Sequence, residues 1–208
     1  PIRDKARQLY LQACQTAGRT PESLDAPGHW QPASDLQDLI RQGENTSIAA
    51  RIDSLGEDVA ALQELIMYGL KGMAAYVDHA RILGKESDEV YAFIHETLAF
   101  LAADPADIDS LLGMALRVGQ VNIQAMEMLH LGHVEHYGIP EPTAVRVTPV
   151  KGKAICISGH DMKDLEELLK QTEGAGINVY THGEMLPGHA YPGLKKYKHL
   201  VGNYGGAW

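Results

Sequence analysis

Apolar residues recur at intervals of three and four along much of the chain, and this spacing predicts long amphipathic helices. The strongest pattern runs from about Ser54 to Leu83, and Gly84 ends it. A second helix is predicted to begin at Ser87, since serine often caps helix N-termini. A third is predicted to begin at Asp104-Pro105, where a capping residue precedes proline, and to end at Gly138.

The third helix is predicted to present one apolar stripe. Its members are Ile108, Leu111, Leu112, Ala115, Val118, Ile123, Met126 and Leu129. Earlier in the chain, helices are predicted over about 2–17 and 34–42, with a loop rich in proline and glycine over 18–32. Long helices joined by short turns predict an up-and-down helical bundle as a domain over residues 1–143.

The pattern changes after the proline-containing segment 139–142. β-Branched residues, which favour strands, become frequent over 143–150, and short apolar runs follow at 153–158 and 177–181. The sequence therefore predicts an α + α/β fold, in which the bundle is followed by the start of a Rossmann-like parallel-sheet domain over residues 144–208.

An amphipathic segment lies between the two apolar runs. Leu165, Leu168 and Leu169 repeat at helical spacing, Asp161 or Ser158 can cap the start, and glycines at 174 and 176 can close it. The result is a strand, helix, strand unit. In such units the carboxyl ends of parallel strands lie side by side, which is where open α/β sheets bind their ligands.

His160 and Glu184 follow these two strand ends, so we expect them to converge. His160 could be a ligand or catalytic group, or could merely hydrogen-bond the helix start, and Asp161 could cap the helix or orient the imidazole. Glu184 could be a metal ligand, a general base or a surface residue. A pair is too small for a closed metal site, so a metal would need ligands from outside this segment.

Other histidines flank this edge or lie on the third long helix. His182 and His189 could join Glu184 in a zinc or iron site, with polar loop histidines as the plainer interpretation. A mononuclear zinc site of His160, His182 and Glu184 is one alternative. A further set, His130, His133 and His136, spreads by about 60° per step around the helix, which disfavours a shared metal site.

Composition narrows the class of protein. The formal net charge of −9 and a pI near 5.5 argue against a nucleic-acid binder. Cys14 and Cys156 make no disulfide framework, which favours a cytoplasmic location, and Cys156 is predicted to be a small buried hydrophobe. No apolar run approaches the roughly 18 residues of a membrane span, so no membrane association is expected. The segment with Tyr197 and Tyr204 is predicted to be a solvated loop.

The α/β part is too small to cover a parallel sheet on both faces. We therefore expect the chain to be a piece of a longer protein. Unpaired strand edges would allow such a fragment to form a homodimer, and a non-catalytic folded fragment is one alternative for its function.

Four motifs carry a family resemblance. They are SGHD at 158–161, the helix 164–174, the run NVYTHGEMLP at 178–187, and HLVGNYG at 199–205. Together they closely resemble the hybrid-cluster proteins, also called prismane proteins or hydroxylamine reductases. The segment YGLKGMAAY at 68–76 is similar to the helical domain of the same family.

The resemblance implies a cytoplasmic oxidoreductase that reduces hydroxylamine to ammonia, with nitric oxide as another possible substrate. It also implies a separate electron donor protein that provides the electrons. It implies a hybrid iron–sulfur–oxygen cluster, with His160 and Glu184 at the positions of the family's histidine and first glutamate ligands. A second, cubane iron–sulfur cluster is also implied.

The chain departs from the family pattern in its cysteines. The N-terminal Cys-rich motif for the cubane cluster is absent, and the remaining hybrid-cluster ligands fall beyond Trp208 in the family. Neither Cys14 nor Cys156 matches a ligand position, so we expect the 208-residue chain alone to bind neither cluster and to be inactive. A carbon monoxide dehydrogenase-like enzyme is the nearest enzymatic alternative.

Overall fold

The computed structural model describes residues 2–22 and 30–206. It confirms the predicted fold class, because helices occupy the first part of the chain and a small parallel sheet with its helix occupies the last part. The chain divides into two compact units, Pro1–Arg51 and Ile52–Trp208. The domain division at residue 143 stays a prediction.

The first unit contains helices α1 (Ile2–Thr16) and α2 (Leu36–Glu44), and α3 (Ile48–Leu55) begins in it. The Asp35 side chain caps α2 by accepting a hydrogen bond from the backbone N–H of Asp38 (3.0 Å). None of the residues in these three helices is buried. Part of the predicted loop, at 23–29, lies outside the described residues.

The second unit holds the bundle helices α4 (Glu57–Ile82), α5 (Asp88–Ala102) and α6 (Ile108–Tyr137). Their shared core is apolar, as the periodicity predicts. Its buried members are Ile66, Leu70, Met73, Val77, Val90, Phe93, Leu111, Met114, Val118 and Ala125.

Two predicted helix starts in the bundle were wrong. Ser54 belongs to α3, because Gly56 adopts a positive φ of 82° and separates α3 from α4. The start of α6 is Ile108, capped by Asp107, whose carboxylate accepts from the backbone N–H of Ser110 (2.9 Å).

Asp104-Pro105, the predicted start of the third helix, instead lies in an irregular segment that a buried amide contacts. The side chain of Gln63 donates to the Asp104 carboxylate (3.1 Å) and to the carbonyl of Pro105 (2.8 Å). A hydrogen bond from a distant helix therefore decides the local structure here.

The predicted single stripe of α6 was also wrong, since α6 carries two apolar faces. Leu111, Met114 and Val118 are buried against the neighbouring helices, whereas Leu112 is 49% and Ile123 is 67% exposed. Periodicity does not separate the two faces because apolar residues cover a wide arc of the helix.

The α/β lobe confirms the predicted strand, helix, strand unit. Strand β1 (Lys153–Ser158), helix α7 (Met162–Thr172) and strand β2 (Ile177–His182) follow in order. A 3-10 helix (Gly183–Ala190), the short helix α8 (Pro192–Lys195) and strand β3 (Leu200–Tyr204) complete it. The sheet order is β1-β2-β3, and both pairings are parallel.

The predicted C-terminal loop was wrong, since residues 200–204 form β3 and Tyr197 is buried. The β-branched segment 143–150 forms no strand but lies beside the sheet. The backbone N–H of Asn203 donates to the carbonyl of Arg146 (2.8 Å), and the N–H of Val150 donates to the Tyr180 hydroxyl (2.6 Å). A side chain on Gly202 would collide with the Arg146 carbonyl, which explains the glycine within β3.

A second core fills the lobe and includes the end of α6. Its buried members are Tyr137, Met162, Leu165, Leu169, Val179, Met185, Tyr191, Leu194 and Tyr197. Because Tyr137 is the last residue of α6, the longest bundle helix ends inside the core of the lobe.

Glu166 links α6 and α7 through a nearly buried carboxylate. It contacts His136 Nε2 (3.2 Å), Lys163 Nζ (2.7 Å) and Lys170 Nζ (3.0 Å), and its side chain is only 10% exposed. Burial alone would raise the pKa of Glu166, but hydrogen bonds from these three side chains outweigh it and lower the pKa to about 2.

Replacing Glu166 with Gln should therefore lower the free energy of unfolding at pH 7. A pKa that falls from 4.5 to about 2 corresponds to about 3 kcal/mol. Because the folded-state pKa is depressed, this stabilisation is present above pH 4.5 and disappears as the pH falls through about 2. Urea denaturation of both proteins at several pH values measures the difference.

Glu167→Gln is the matched control, because Glu167 pairs with the same two lysines but is 47% exposed. We expect a much smaller loss for this variant, since exposed ion pairs contribute little. Equal losses in the two variants would contradict a special role for Glu166.

Candidate functional site

The carboxyl ends of β1 and β2 are arranged alike, with a polar residue, a glycine and a second polar residue in corresponding positions. Ser158 pairs with His182 in the parallel ladder, and a glycine follows each of them. Gly159 has a φ of 133° and Gly183 a φ of 54°, conformations that favour glycine. The next residues are His160 and Glu184, which are 24 positions apart in sequence.

His160 and Glu184 are in direct contact at this edge. The ring atom Nε2 of His160 and the carboxylate atom Oε2 of Glu184 form a hydrogen bond. The two side chains are 51% and 41% exposed, so the edge is open to solvent. The convergence predicted from the sequence is therefore present.

Imidazole nitrogen and carboxylate oxygen both ligate iron, so the two atoms that face each other here are suitable donors to one metal ion. A metal ion would take the place of the proton between them. Within 2–22 and 30–206, no group of three or more His, Cys, Asp or Glu side chains could hold a metal ion. The pair fits as part of a ligand set completed elsewhere.

His182 lies beside this pair and is held from both sides. Its Nδ1 is 2.9 Å from the Ser158 hydroxyl. On the other side, Gly205 packs so closely that a Cβ on it would lie 2.8 Å from Nε2 of the ring. The predicted zinc trio with His160 and Glu184 does not assemble in the described part of the chain.

His189 lies behind the edge instead of in a polar loop. It is 6% exposed, and its Nε2 is 2.9 Å from the Thr181 hydroxyl. Burial lowers the pKa of His189. A hydrogen bond from the ring to the carbonyl of Gly202 favours the protonated ring and offsets part of this lowering. The interpretation of His189 as a solvated residue was wrong.

Comparison with known proteins gives a family for this arrangement. A sequence profile of the Prismane/CO dehydrogenase family matches residues 3–208. The chain belongs to this family. The resemblance seen in the motifs around His160 and Glu184 is therefore confirmed over the bundle as well as the lobe.

Several relatives in the family are similar over the whole chain. A protein named hydroxylamine reductase from Rhodospirillum rubrum is 52% identical over 100% of this chain and 38% of the relative. Proteins of the same name from Acidithiobacillus ferrooxidans and Methanocella arvoryzae are each 50% identical, over 99% and 97% of this chain and 37% of each relative. The chain thus spans somewhat more than a third of the length of these relatives.

Asp161 caps a helix, one of its two predicted roles. Its carboxylate accepts a hydrogen bond from the backbone N–H of Lys163 (2.7 Å) at the start of α7. This cap fixes the turn that carries His160.

The histidines of α6 have separate surroundings, as their spacing predicts. His133 packs between the rings of Tyr137 and Tyr191, and burial lowers its pKa. His136 contacts Glu166, and His130 is exposed. The observed contacts of His133 and His136 are with side chains of the lobe core and of α7.

The prediction for Cys156 was wrong, because this residue is exposed. Residues 154, 156 and 158 of β1 are all exposed, whereas Ile155 and Ile157 are partly buried. One face of β1 is therefore uncovered.

None of the described helices is long and apolar enough to cross a membrane.

Proposed function

We propose that this chain supplies His160 and Glu184 as ligands to a hybrid iron–sulfur–oxygen cluster in a longer protein that reduces hydroxylamine to ammonia. The observation that carries the proposal is the contact between His160 Nε2 and Glu184 Oε2 at the carboxyl edge of the sheet. Relatives named hydroxylamine reductase, each about half identical to the chain, support the reaction.

The reaction breaks the N–O bond of hydroxylamine. Two electrons and two protons enter, and ammonia and water leave. The bound cluster would supply Lewis-acid binding of the nitrogen compound and a store of electrons. The proposal includes nitric oxide as a second small nitrogen substrate, whose reduction takes a different number of electrons and protons.

The residues of this chain have defined tasks in the proposal. His160 offers the lone pair of Nε2 after losing any proton on that atom, and Glu184 offers an anionic oxygen that offsets part of the positive charge of iron. Both side chains are about half exposed, so a small molecule can reach the edge. Asp161, by capping α7, holds the turn that carries His160.

Other parts of the longer protein must complete the cluster. Iron–sulfur clusters are held mainly by cysteine thiolates. Among the residues that the structure describes, no further His, Cys, Asp or Glu side chain completes a metal-binding group with His160 and Glu184. In this proposal the 208-residue chain is inactive alone. The longer protein also holds a cubane cluster, and a separate cytoplasmic protein donates the electrons.

Anaerobic reconstitution with iron and sulfide tests this function. The longer protein should take up iron, develop a broad absorption near about 400 nm and convert hydroxylamine to ammonia with a reduced dye as the electron source. The 208-residue chain should do none of these.

Two results would contradict the proposal. One is a longer protein that is folded but takes up no iron. The other is iron uptake with oxidation of carbon monoxide and no formation of ammonia, which would favour the carbon monoxide dehydrogenase branch of the family.

A further inference from the structure

Buried polar side chains form a hydrogen-bonded chain directly behind the His160–Glu184 edge. The Thr181 hydroxyl is 2.9 Å from His189 Nε2 and 2.9 Å from the Asn203 carboxamide oxygen. Thr181, His189 and Asn203 are only 0%, 6% and 7% exposed. Such groups are costly to bury unless each one is hydrogen-bonded, so their arrangement is specific.

The direction of these hydrogen bonds follows from counting protons. The amide nitrogen of Asn203 donates to the carbonyl of Gly205 (3.1 Å), so the amide oxygen must be the atom that faces Thr181. The carbonyl of Gly202 accepts a hydrogen bond from the His189 ring, and because Nε2 faces Thr181, the donor is Nδ1. The neutral ring therefore carries its proton on Nδ1, and Nε2 accepts from the Thr181 hydroxyl. That hydroxyl has a single proton, which lies between Nε2 and the Asn203 oxygen.

The chain of hydrogen bonds connects three segments next to the edge, namely the 3-10 helix, β2 and the end of β3. His189 lies in the 3-10 helix that also contains Glu184, and Thr181 lies in β2, two residues before Gly183. Asn203 lies in β3 and holds Gly205, which packs against the ring of His182. Glu184 itself is half exposed, so contacts at its own side chain fix it only weakly.

We propose that Thr181, His189 and Asn203 are positioning residues, which hold the 3-10 helix against β2 and β3 so that Glu184 stands opposite His160. They contact neither member of the pair through the hydrogen bonds described. The expected effect of these residues on iron affinity rests on the proposed function. Their expected effect on the contact between His160 and Glu184 does not. The ligand class concerned is iron held by one imidazole and one carboxylate of this chain.

The first measurement is the tautomer of His189 in the unmodified 208-residue chain. Nitrogen chemical shifts of the imidazole distinguish a proton on Nε2 from one on Nδ1. The proposal requires the Nδ1 form at neutral pH, because Nδ1–H then donates to the Gly202 carbonyl of β3 while Nε2 accepts from Thr181. The Nε2 form would overturn it, and this measurement does not depend on any variant folding.

The second measurement compares Thr181→Val with Thr181→Ser. Valine keeps the shape of threonine but removes the hydroxyl, whereas serine keeps the hydroxyl. We expect the nuclear Overhauser contact between the His160 ring and the Glu184 side chain to disappear in Thr181→Val and to return in Thr181→Ser. Persistence of the contact in a folded Thr181→Val protein would overturn the proposal.

Thr172→Val is the matched control. Thr172 is also buried, and its hydroxyl is 2.9 Å from His199 Nε2, but it ends α7 and lies away from the carboxyl edge. A general loss of stability would weaken the His160–Glu184 contact in both valine variants. The proposal requires the loss in Thr181→Val alone.

Iron affinity provides a separate readout in the longer protein. Groups that orient a metal ligand without touching the metal typically change affinity by about 10- to 100-fold, and we expect a loss of this size for Thr181→Val, reversed by Thr181→Ser. If the unmodified longer protein binds no iron, the proposed function fails, while the tautomer and contact measurements still decide whether the network positions Glu184.

Discussion

Replacing His160 with alanine in the longer protein is expected to remove the iron of the proposed hybrid cluster and to slow hydroxylamine reduction by at least about 100-fold. Residues that only orient a metal ligand change affinity by about 10- to 100-fold, so loss of a ligand itself should cost more. In the 208-residue chain, this histidine faces Glu184 through Nε2, and no other described side chain is hydrogen-bonded to that atom. Metal analysis and an ammonia assay measure the two effects.

Glu184→Gln should give the same result, because an amide keeps the size of the side chain but loses the negative charge that favours iron. His130→Ala is the control for general effects of removing a histidine, since His130 is exposed on α6. Full iron content and full activity in either edge variant would show that the contact between His160 and Glu184 has no part in the reaction.

Leu165→Ala is expected to lower the free energy of unfolding by about 3 kcal/mol, within the range known for buried leucines. Leu165 is fully buried in the core of the lobe. Its Cδ2 lies 2.6 Å from where a Cβ on Gly188 would be, so the leucine packs directly on the backbone of the 3-10 helix. Shortening the side chain leaves a cavity between α7 and the helix that carries Glu184. Urea denaturation followed by circular dichroism measures the loss.

Leu116→Ala is the matched control for this variant. Leu116 also lies inside a helix, so the change in helix propensity is the same, but it is 65% exposed on α6. We expect a change within about 0.5 kcal/mol. Equal losses in the two variants would show that the lobe core does not determine stability.

The sequence predicted the strand, helix, strand unit and its edge because the signals are local. Apolar runs mark β1 and β2, Asp161 caps α7, and parallel strands must align their carboxyl ends. The convergence of His160 and Glu184 on one edge follows from this geometry, whereas the direct contact between their side chains does not. The family resemblance added the chemistry that such a pair could serve.

The elements that the sequence did not reveal depend on distant partners. Strand β3 contains only two large apolar residues before Gly202, and its glycine is explained by the carbonyl of Arg146, more than fifty positions away. Likewise, Gln63 determines the structure of Asp104 from another helix. Patterns of neighbouring residues contain no information about such contacts.

The exposed apolar face of α6 shows a second reason why the sequence could not predict the whole fold. Periodicity identified the apolar positions correctly, but it could not tell which of them the bundle would bury. Leu111 and Val118 entered the core, whereas Leu112 and Ile123 did not. Only the placement of α4 and α5 around α6 separates these sets.

The equal spacing at the two strand ends has a consequence for how such chains can diverge. Insertions or deletions in α7 or in the turn after it keep the ladder pairing of Ser158 with His182, and so keep the two strand ends that carry His160 and Glu184 side by side. Deletion of one residue inside β1 or β2 would instead displace one member by about 3.3 Å and turn it to the opposite face of the sheet. Length variation among homologues should therefore collect between the strands and be absent within them.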